Sequence, residues 1–189
     1  MMRRKYGVTK FISELLIVYF FAGAAGATTL ARMDLRQLAQ SAQIIIRARC
    51  EGSQTRLAGG NIWSIYDFTV LETLKGPPMQ SLNVALPGGR IGHVETKVDG
   101  APQFRAGEEV VLFLEKTSDG GYSVTSWAQG TFRVRRGAAG ESRLTQDTSH
   151  FAVFDPATKS FAPAGIRDIS LVEFRKQLTD VLRSQVTRH

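Results

Sequence analysis

The sequence predicts a mainly β fold with flanking helices, in the form of a small closed OB-like β-barrel followed by a C-terminal amphipathic helix. Short stretches between residues 43 and 134 alternate apolar and polar side chains with the period of a strand. Turn signals rich in glycine and proline separate these stretches. Residues 170–185 carry apolar side chains at helical spacing instead. About five to seven short strands are enough to build a small barrel of this kind.

Residues 1–27 have the pattern of a cleaved export signal. Residues 1–5 are basic, 15–23 are apolar, and 25–27 offer small side chains at a cleavage point. The apolar run is shorter than the roughly 20 residues of a membrane span, although an uncleaved anchor helix remains the alternative. We therefore expect a periplasmic or extracellular protein that has no stable membrane anchor after cleavage.

Cleavage also changes the charge of the chain. It removes four of the 24 basic side chains and one of the 17 acidic ones, so the net charge falls from +7 to +4. A charge this small gives little support to nucleic-acid binding. We predict a β-barrel domain with a short N-terminal helix at 28–165 and a helix at 166–189 packed on it. We expect a monomer.

The first elements follow from capping and alternation. Asp34 can cap a short helix over 34–42. Residues 43–51 alternate, which predicts a half-buried strand. That phase puts four side chains on the buried face: Ile44, Ile46, Ala48 and Cys50. Residues 53–61 are polar and contain two adjacent glycines, so we expect a loop.

The middle of the chain predicts further strands. Residues 62–74 form a long strand whose apolar phase changes, because Trp63, Ile65 and Leu71 do not share the face of Tyr66, Phe68 and Val70. Such a change predicts a bend or bulge. Residues 82–86 follow as the next strand. Residues 91–98 predict a strand with Val94, Thr96 and Val98 inward and His93, Glu95 and Lys97 outward.

Residues 110–114 (VVLFL) are apolar on both faces, which predicts a fully buried central strand. A turn at 119–121 leads into a strand over 122–127. Phe132 then faces inward, with Arg133 and Arg135 on the outer face. A small hairpin is expected over 151–161.

Residues 170–185 predict an amphipathic helix, and Ser170 and Glu173 have the spacing of a capping box. Its apolar stripe comprises Leu171, Phe174, Leu178, Val181 and Leu182. We expect this stripe to pack on its own domain. Binding of a partner or of a membrane surface is the alternative.

The residues that could carry chemistry do not form a catalytic or metal-binding pattern. His93 and Glu95 offer two metal ligands where three or four are needed. Glu108 and Glu109 are neighbours in a strand and therefore point to opposite faces. Cys50 is the only cysteine, so it makes no intrachain disulfide, and it is expected in the core rather than as a nucleophile or an interchain bridge. We predict no catalytic residue, no metal and no cofactor.

Nucleic-acid binding would need exposed aromatic side chains between basic ones. Tyr66 and Phe132 lie in the apolar phase of their strands, so we expect them in the core. We therefore predict no nucleic-acid partner.

A series of blocks resembles a family of exported bacterial proteins with no assigned activity. The blocks are 42–48 (AQIIIRA), 74–76 (LKG), 87–89 (PGG), 98–102 (VDGAP), 107–114 (GEEVVLFL) and 129–132 (QGTF). The likeness covers over half of the predicted mature chain. It implies an exported domain and names no ligand.

The stretch from 66–68 (YDF) to 74–76 (LKG) also resembles a strand of the netrin-like OB barrel of the tissue inhibitors of metalloproteinases. Those inhibitors chelate the zinc of their target through a cysteine at the mature N-terminus. The mature chain here is expected to start at Thr28, without that cysteine. The resemblance therefore implies the fold and leaves out the inhibitory chemistry.

These observations favour an exported, non-enzymatic binding or interaction module, with another exported protein as a partner. Loops at one end of a barrel are where such folds bind. We predict a rim formed by 57–61, 87–93 and 99–105, with Arg90, His93 and Arg105 as binding residues. An envelope hydrolase, or an accessory or inhibitor-like partner of a secreted protease, is the alternative.

Overall fold

The protein is mainly β, as predicted, with 49% strand against 18% helix among the residues that the structure describes. The computed structural model describes residues 31–148, 153–155, 158–162 and 165–186. The predicted export signal at 1–27 lies outside these residues. Within them the chain forms two helices, α1 (Leu35–Ser41) and α2 (Leu171–Val186). It also forms twelve strands: β1 (Ile44–Ala58), β2 (Asn61–Lys75), β3 (Ser81–Pro87), β4 (Gly89–Ile91), β5 (Val94–Thr96), β6 (Glu109–Lys116), β7 (Tyr122–Val124), β8 (Thr131–Arg136), β9 (Ser142–Gln146), β10 (Val153–Asp155), β11 (Ser160–Ala162) and β12 (Ile169–Ser170).

The main sheet follows the order β1-β2-β3-β7-β6-β8-β9-β12, and β1 also pairs with β6. The pairings thus run from β1 through β2, β3, β7 and β6 back to β1. All of them are antiparallel except β3 with β7, which is parallel and rests on the pair Val84 and Tyr122. Strands β8, β9 and β12 extend the sheet beyond β6. The β4–β5 hairpin is inserted between β3 and β6.

Two apolar cores lie on opposite faces of β1 and β6, because both strands bury successive side chains. Ile44 and Ile46 belong to one core and Ile45 to the other, all with at most 2% exposure. In β6 the same alternation puts Leu112 in the first core and Phe113 in the second. The prediction of a buried central strand at 110–114 is therefore confirmed. The first core also contains Cys50, Tyr66, Phe68, Leu82, Val84, Leu86, Phe104, Val110, Leu114 and Val124.

The helices cover the second core. Asp34 caps α1 by accepting a hydrogen bond from the Gln37 amide, and the Gln37 side chain accepts from Asp34 in return. At the other end, Lys75 Nζ donates to the carbonyl oxygens of Ala39 and Ala42 at 2.7 and 2.6 Å. A cation at the C-terminal end of a helix interacts favourably with the helix dipole and so stabilises the helix. Burial lowers the pKa of Lys75.

Helix α2 packs on its own domain, as predicted. Phe174 is fully buried, and its ring centroid lies 5.0 Å from that of Phe132. Leu171 and Leu178 are buried beside it. The hydroxyl of Ser170 accepts a hydrogen bond from the Glu173 amide, so the predicted cap is present. In the described part of the chain no helix is long and apolar enough to cross a membrane.

The bend or bulge predicted for residues 62–74, which lie in β2, is confirmed. The register between β1 and β2 shifts between Ile45 and Ile46, between Arg47 and Ala48, and between Cys50 and Gly52. The second shift skips Leu71, one of the residues out of phase in the sequence. Each shift bends the pair, which lets these long strands curve.

Three local predictions are wrong. Residues 53–58 are not a loop, because β1 continues to Ala58 and turns into β2 through Gly59 and Gly60. The stretch 91–98 is not one strand. It turns at Gly92 and His93 between β4 and β5, and Val94 is 62% exposed rather than inward. The strand predicted over 122–127 ends at Val124, and Trp127 begins a 3-10 turn.

We expect Phe174→Ala to lower the free energy of unfolding by about 3–5 kcal/mol, because it opens a cavity against Phe132. Val172, which is 78% exposed on the same helix, is the matched control. Val172→Ala should change the free energy by less than about 0.5 kcal/mol. Urea denaturation of the two variants measures both values. Equal effects would mean that α2 does not cover the second core.

The burial of the Cys50 thiol predicts that the protein loses stability at high pH. Its thiol is buried and donates to the Gly52 carbonyl oxygen at 3.5 Å. Burial raises the pKa of the thiol above its ordinary value of 9.0. The unfolded chain therefore releases this proton first, so the free energy of unfolding falls as the pH rises above about 9. In Cys50→Ala, the fall measured between about pH 8 and about pH 10 should be smaller. An unchanged fall would contradict the assignment.

Candidate binding cleft

A cleft of about 610 Å³ opens between the loop that precedes β6 and the outer face of β8 and β9. Because β8 pairs with β6, this face continues directly from the central strand to the edge of the sheet. The lining residues are Gly100, Ala101, Pro102, Gln103, Phe104, Arg105, Glu108, Ala128, Arg133, Arg135, Thr145, Gln146 and Asp147. We call this region the arginine cleft, because it contains three arginines and no other basic side chain.

Arg133 lines the arginine cleft and joins its walls. Its guanidinium donates to the carboxylate of Glu108, which precedes β6, and to Asp147 Oδ2 at 2.7 Å. It also donates to the backbone oxygen of Gln103 at 2.9 Å. The side chain is only 19% exposed. One cation thus fixes the loop, β8 and the end of β9 relative to each other.

The electrostatics of Arg133 follow from these contacts. Burial alone lowers the pKa of a guanidinium. Hydrogen bonds and charge from Asp147 and Glu108 more than offset that effect, so the pKa of Arg133 lies above its ordinary value. The side chain is therefore held in its charged form, and the carboxylates of Glu108 and Asp147 more than balance its charge.

Phe104 anchors the loop to the first core. The ring is buried, with 7% exposure, and meets Tyr66 and Phe68 edge to face at centroid distances of 5.0 and 5.2 Å. Arg133 lies over the outer side of the same ring, 5.7 Å from its centroid. The loop that forms one wall of the cleft is therefore fixed in two ways. Phe104 packs on the first core, and Arg133 makes a cation–π contact with the same ring.

The turn after β7 is hydrogen-bonded to the loop that forms one wall of the cleft. Ser126 and Trp127 both have a φ of 49°, an uncommon conformation for residues with side chains. Ala128 of this turn donates its amide to the Gly100 oxygen at 3.0 Å, which ties the turn to the loop. A Cβ at Gly130 would lie 2.2 Å from the Thr125 oxygen, so only glycine fits there. Strained backbone of this kind is concentrated at functional sites.

Arg105 and Arg135 differ from Arg133. Both line the arginine cleft and are exposed. Among the described residues neither side chain has a hydrogen-bond or ion-pair partner, although the Arg105 amide donates to Glu108. Arg135 also lies directly opposite Arg143 in the β8–β9 pair. Arg143 is bound to Asp168 and Glu141, at 2.5 and 3.4 Å.

The three predicted binding residues are separated by the fold. Arg105 lies in the arginine cleft. Arg90 and His93 are exposed on the β4–β5 hairpin, where Arg90 Nε donates to the Gly92 oxygen at 3.2 Å. This hairpin approaches the cleft loop at its base, where Pro87 and Gly88 share a small cavity with Gln103. Arg90 and His93 are therefore neighbours of the cleft rather than part of its lining.

Sequence reasoning missed Arg133 and Asp147 as members of a site. Alternation did place Arg133 on the outer face, together with Arg135. The missing element was β9, which pairs with β8 and ends just before Asp147. Alternation around the buried Leu144 was the signal that could have indicated this strand.

The acidic and histidine side chains that the structure describes do not form a metal-binding arrangement. Glu108 binds Arg133, whereas Glu109 binds Arg47 at 2.6 Å, so the two carboxylates do point apart. His93 lies in a turn, and no group of three or more histidine, cysteine or acidic residues suited to a metal occurs in the part of the chain that is described.

We expect Arg133→Met to lower the free energy of unfolding by about 2–4 kcal/mol, because it leaves two poorly hydrated carboxylates without a partner. Arg135→Met, on the same face of the same strand, should cost less than about 0.5 kcal/mol. Thermal or urea denaturation measures both losses. Similar values for the two variants would show that Arg133 does not organise the cleft.

The arginine cleft thus combines a fixed, neutralised arginine with two exposed arginines on opposite walls. Comparison of the chain with protein-family models and with curated proteins finds no match in either set.

Proposed function

We propose that this chain is an exported, non-enzymatic binding module with an OB-like closed barrel, and that it binds another exported protein in the arginine cleft. The observation that carries the proposal is the cleft itself. Arg133 fixes its walls while Arg105 and Arg135 face the same space without partners among the described residues. Charged side chains that the fold does not use are available to a ligand.

The barrel part of the proposal rests on strand order. The pairings of β1, β2, β3, β7 and β6 return to β1, and the parallel contact is between β3 and β7. A small five-stranded barrel of the OB type has this kind of ring and binds through the loops and the face near one end. The loop before β6 is such a loop, which supports binding in the arginine cleft.

The character of the cleft favours a protein partner. Its volume falls within the roughly 300–1,000 Å³ of ligand sites. Its lining is mostly polar, and the nearby rings of Tyr66, Phe68 and Phe104 are buried. Stacking of nucleic-acid bases needs exposed rings, so these residues do not favour a nucleic acid. A polar, open cleft suits a segment of a polypeptide.

We also propose that the β4–β5 hairpin contributes to the rim of the same surface. Arg90 and His93 are exposed there, and the small cavity at Gln103 joins the base of the hairpin to the loop. Their contribution is secondary, because the fold places them outside the cleft lining.

A photocrosslinking side chain tests the binding function. Benzoylphenylalanine is introduced at Gln103, which is exposed in the cleft, and separately at Val172 on α2 as the control. Irradiation of cells that produce the protein should give a defined protein adduct from Gln103 and none from Val172. The same pattern from both positions, or no adduct from either, would contradict binding in the cleft.

The contribution of the rim is tested in the protein that carries benzoylphenylalanine in place of Gln103. Arg105→Ala should reduce the adduct several-fold, because it removes a side chain of the cleft. The double variant Arg90→Ala with His93→Ala should reduce it less. A stronger effect of the hairpin variant would move the binding site from the cleft to the hairpin.

A further inference from the structure

We propose that Arg105 and Arg135 bind carboxylate groups of the partner, so that the arginine cleft recognises an acidic peptide segment. This inference rests on the proposed function and specifies its ligand. Arg105 stands on the loop wall and Arg135 on the strand wall of one cleft. A segment lying between them can meet both guanidinium groups at once.

The position of Arg135 supports an anionic ligand. It lies directly opposite Arg143 across β8 and β9. Arg143 is neutralised by Asp168 and Glu141. In turn, Arg143 holds the pKa of Asp168 below its ordinary value. Arg135 has no such partner among the described residues, so an anion arriving there forms a new ion pair.

The cleft already shows which anion fits it. Arg133 uses the same face of β8 as Arg135 and binds two carboxylates, those of Glu108 and Asp147. Guanidinium groups bind carboxylates through paired, directional hydrogen bonds. A ligand carboxylate on Arg135 would repeat, two residues along the strand, the contact that the protein makes with its own side chains.

The same two carboxylates weigh against a phosphate. Glu108 and Asp147 leave the Arg133 cluster with a net charge of −1 inside the cleft. A phosphate group concentrates about −1.5 to −2 charges at one point beside these neighbours, whereas the carboxylates of a peptide can lie apart, one at Arg105 and one at Arg135. The cleft volume of about 610 Å³ is also far larger than one small anion requires. Both facts favour a peptide segment with separated carboxylates.

Titration of the purified exported protein with defined peptides tests the ligand class. The probes are the blocked peptide Gly-Glu-Gly-Glu-Gly, its isosteric counterpart Gly-Gln-Gly-Gln-Gly and inorganic phosphate, followed by amide NMR at low salt. The glutamate peptide should shift the amide signals of Gln103 and Arg135 and bind about tenfold more tightly than either other probe. Raising the salt should weaken it.

Matched variants locate the contact. Arg135→Gln and Arg105→Gln should each weaken binding of the glutamate peptide about tenfold. Arg136→Gln removes the same charge from the neighbouring residue, on the opposite face of β8, and should change the affinity less than about twofold. Equal losses at Arg135 and Arg136 would reduce the effect to net charge and overturn the proposal.

The other outcomes separate this inference from the proposed function. Equal binding of the glutamine peptide, tighter binding of phosphate, or no binding of the glutamate peptide each overturns the carboxylate assignment. None of these results affects the adduct expected at Gln103, which tests binding in the cleft by any partner. Loss of that adduct with intact peptide binding would instead remove the protein partner.

Discussion

The fold depends on one strand that is buried on both faces. β6 pairs with β1, β7 and β8, and its side chains enter two cores in turn, Leu112 on one side and Phe113 on the other. A polar residue at either position would be desolvated without a partner, which is costly. The strand therefore cannot shift or rotate, and Glu108, just before it, is held where Arg133 can reach it.

Carboxylate partners divide the arginines of this surface into two groups. Arg133 and Arg143 each have carboxylate partners, which satisfy their hydrogen-bonding groups and set the geometry of the surface. Arg105 and Arg135 add charge without adding structure. Rigid surroundings lower the entropy cost of binding, because few side chains have to be ordered when a ligand arrives. Arg133 and Arg143 thus fix the shape of the surface that carries the exposed Arg105 and Arg135.

The sequence predicts the elements that bury a face and misses those that do not. Alternation marked Ile44, Ile46, Ala48 and Cys50 and the stripe of α2, since these side chains enter a core, but it did not indicate that Ile45 enters the second core on the other face of β1. The same rule fails for residues 53–58, where β1 pairs only with β2 and neither side is buried. It also misled at Val94, where a turn isolates a short hairpin. The Arg133 cluster could not be predicted, because its partners Glu108, just before β6, and Asp147, just after β9, are brought together only by the tertiary fold.

The pairing of β1 with β6 has a consequence for how the chain folds. Ile44 pairs with Leu114, so contacts that complete the first core join residues far apart in the sequence. The second core additionally needs Phe174 of α2, which follows Phe113 by more than 60 residues. Local segments therefore gain little stability alone, and folding should be slow and cooperative, as is usual for proteins with many distant contacts. In a chain still being synthesised the second core is therefore incomplete, and the side chains of β1 and β6 that enter it, such as Ile45 and Phe113, remain available to chaperones until α2 has emerged.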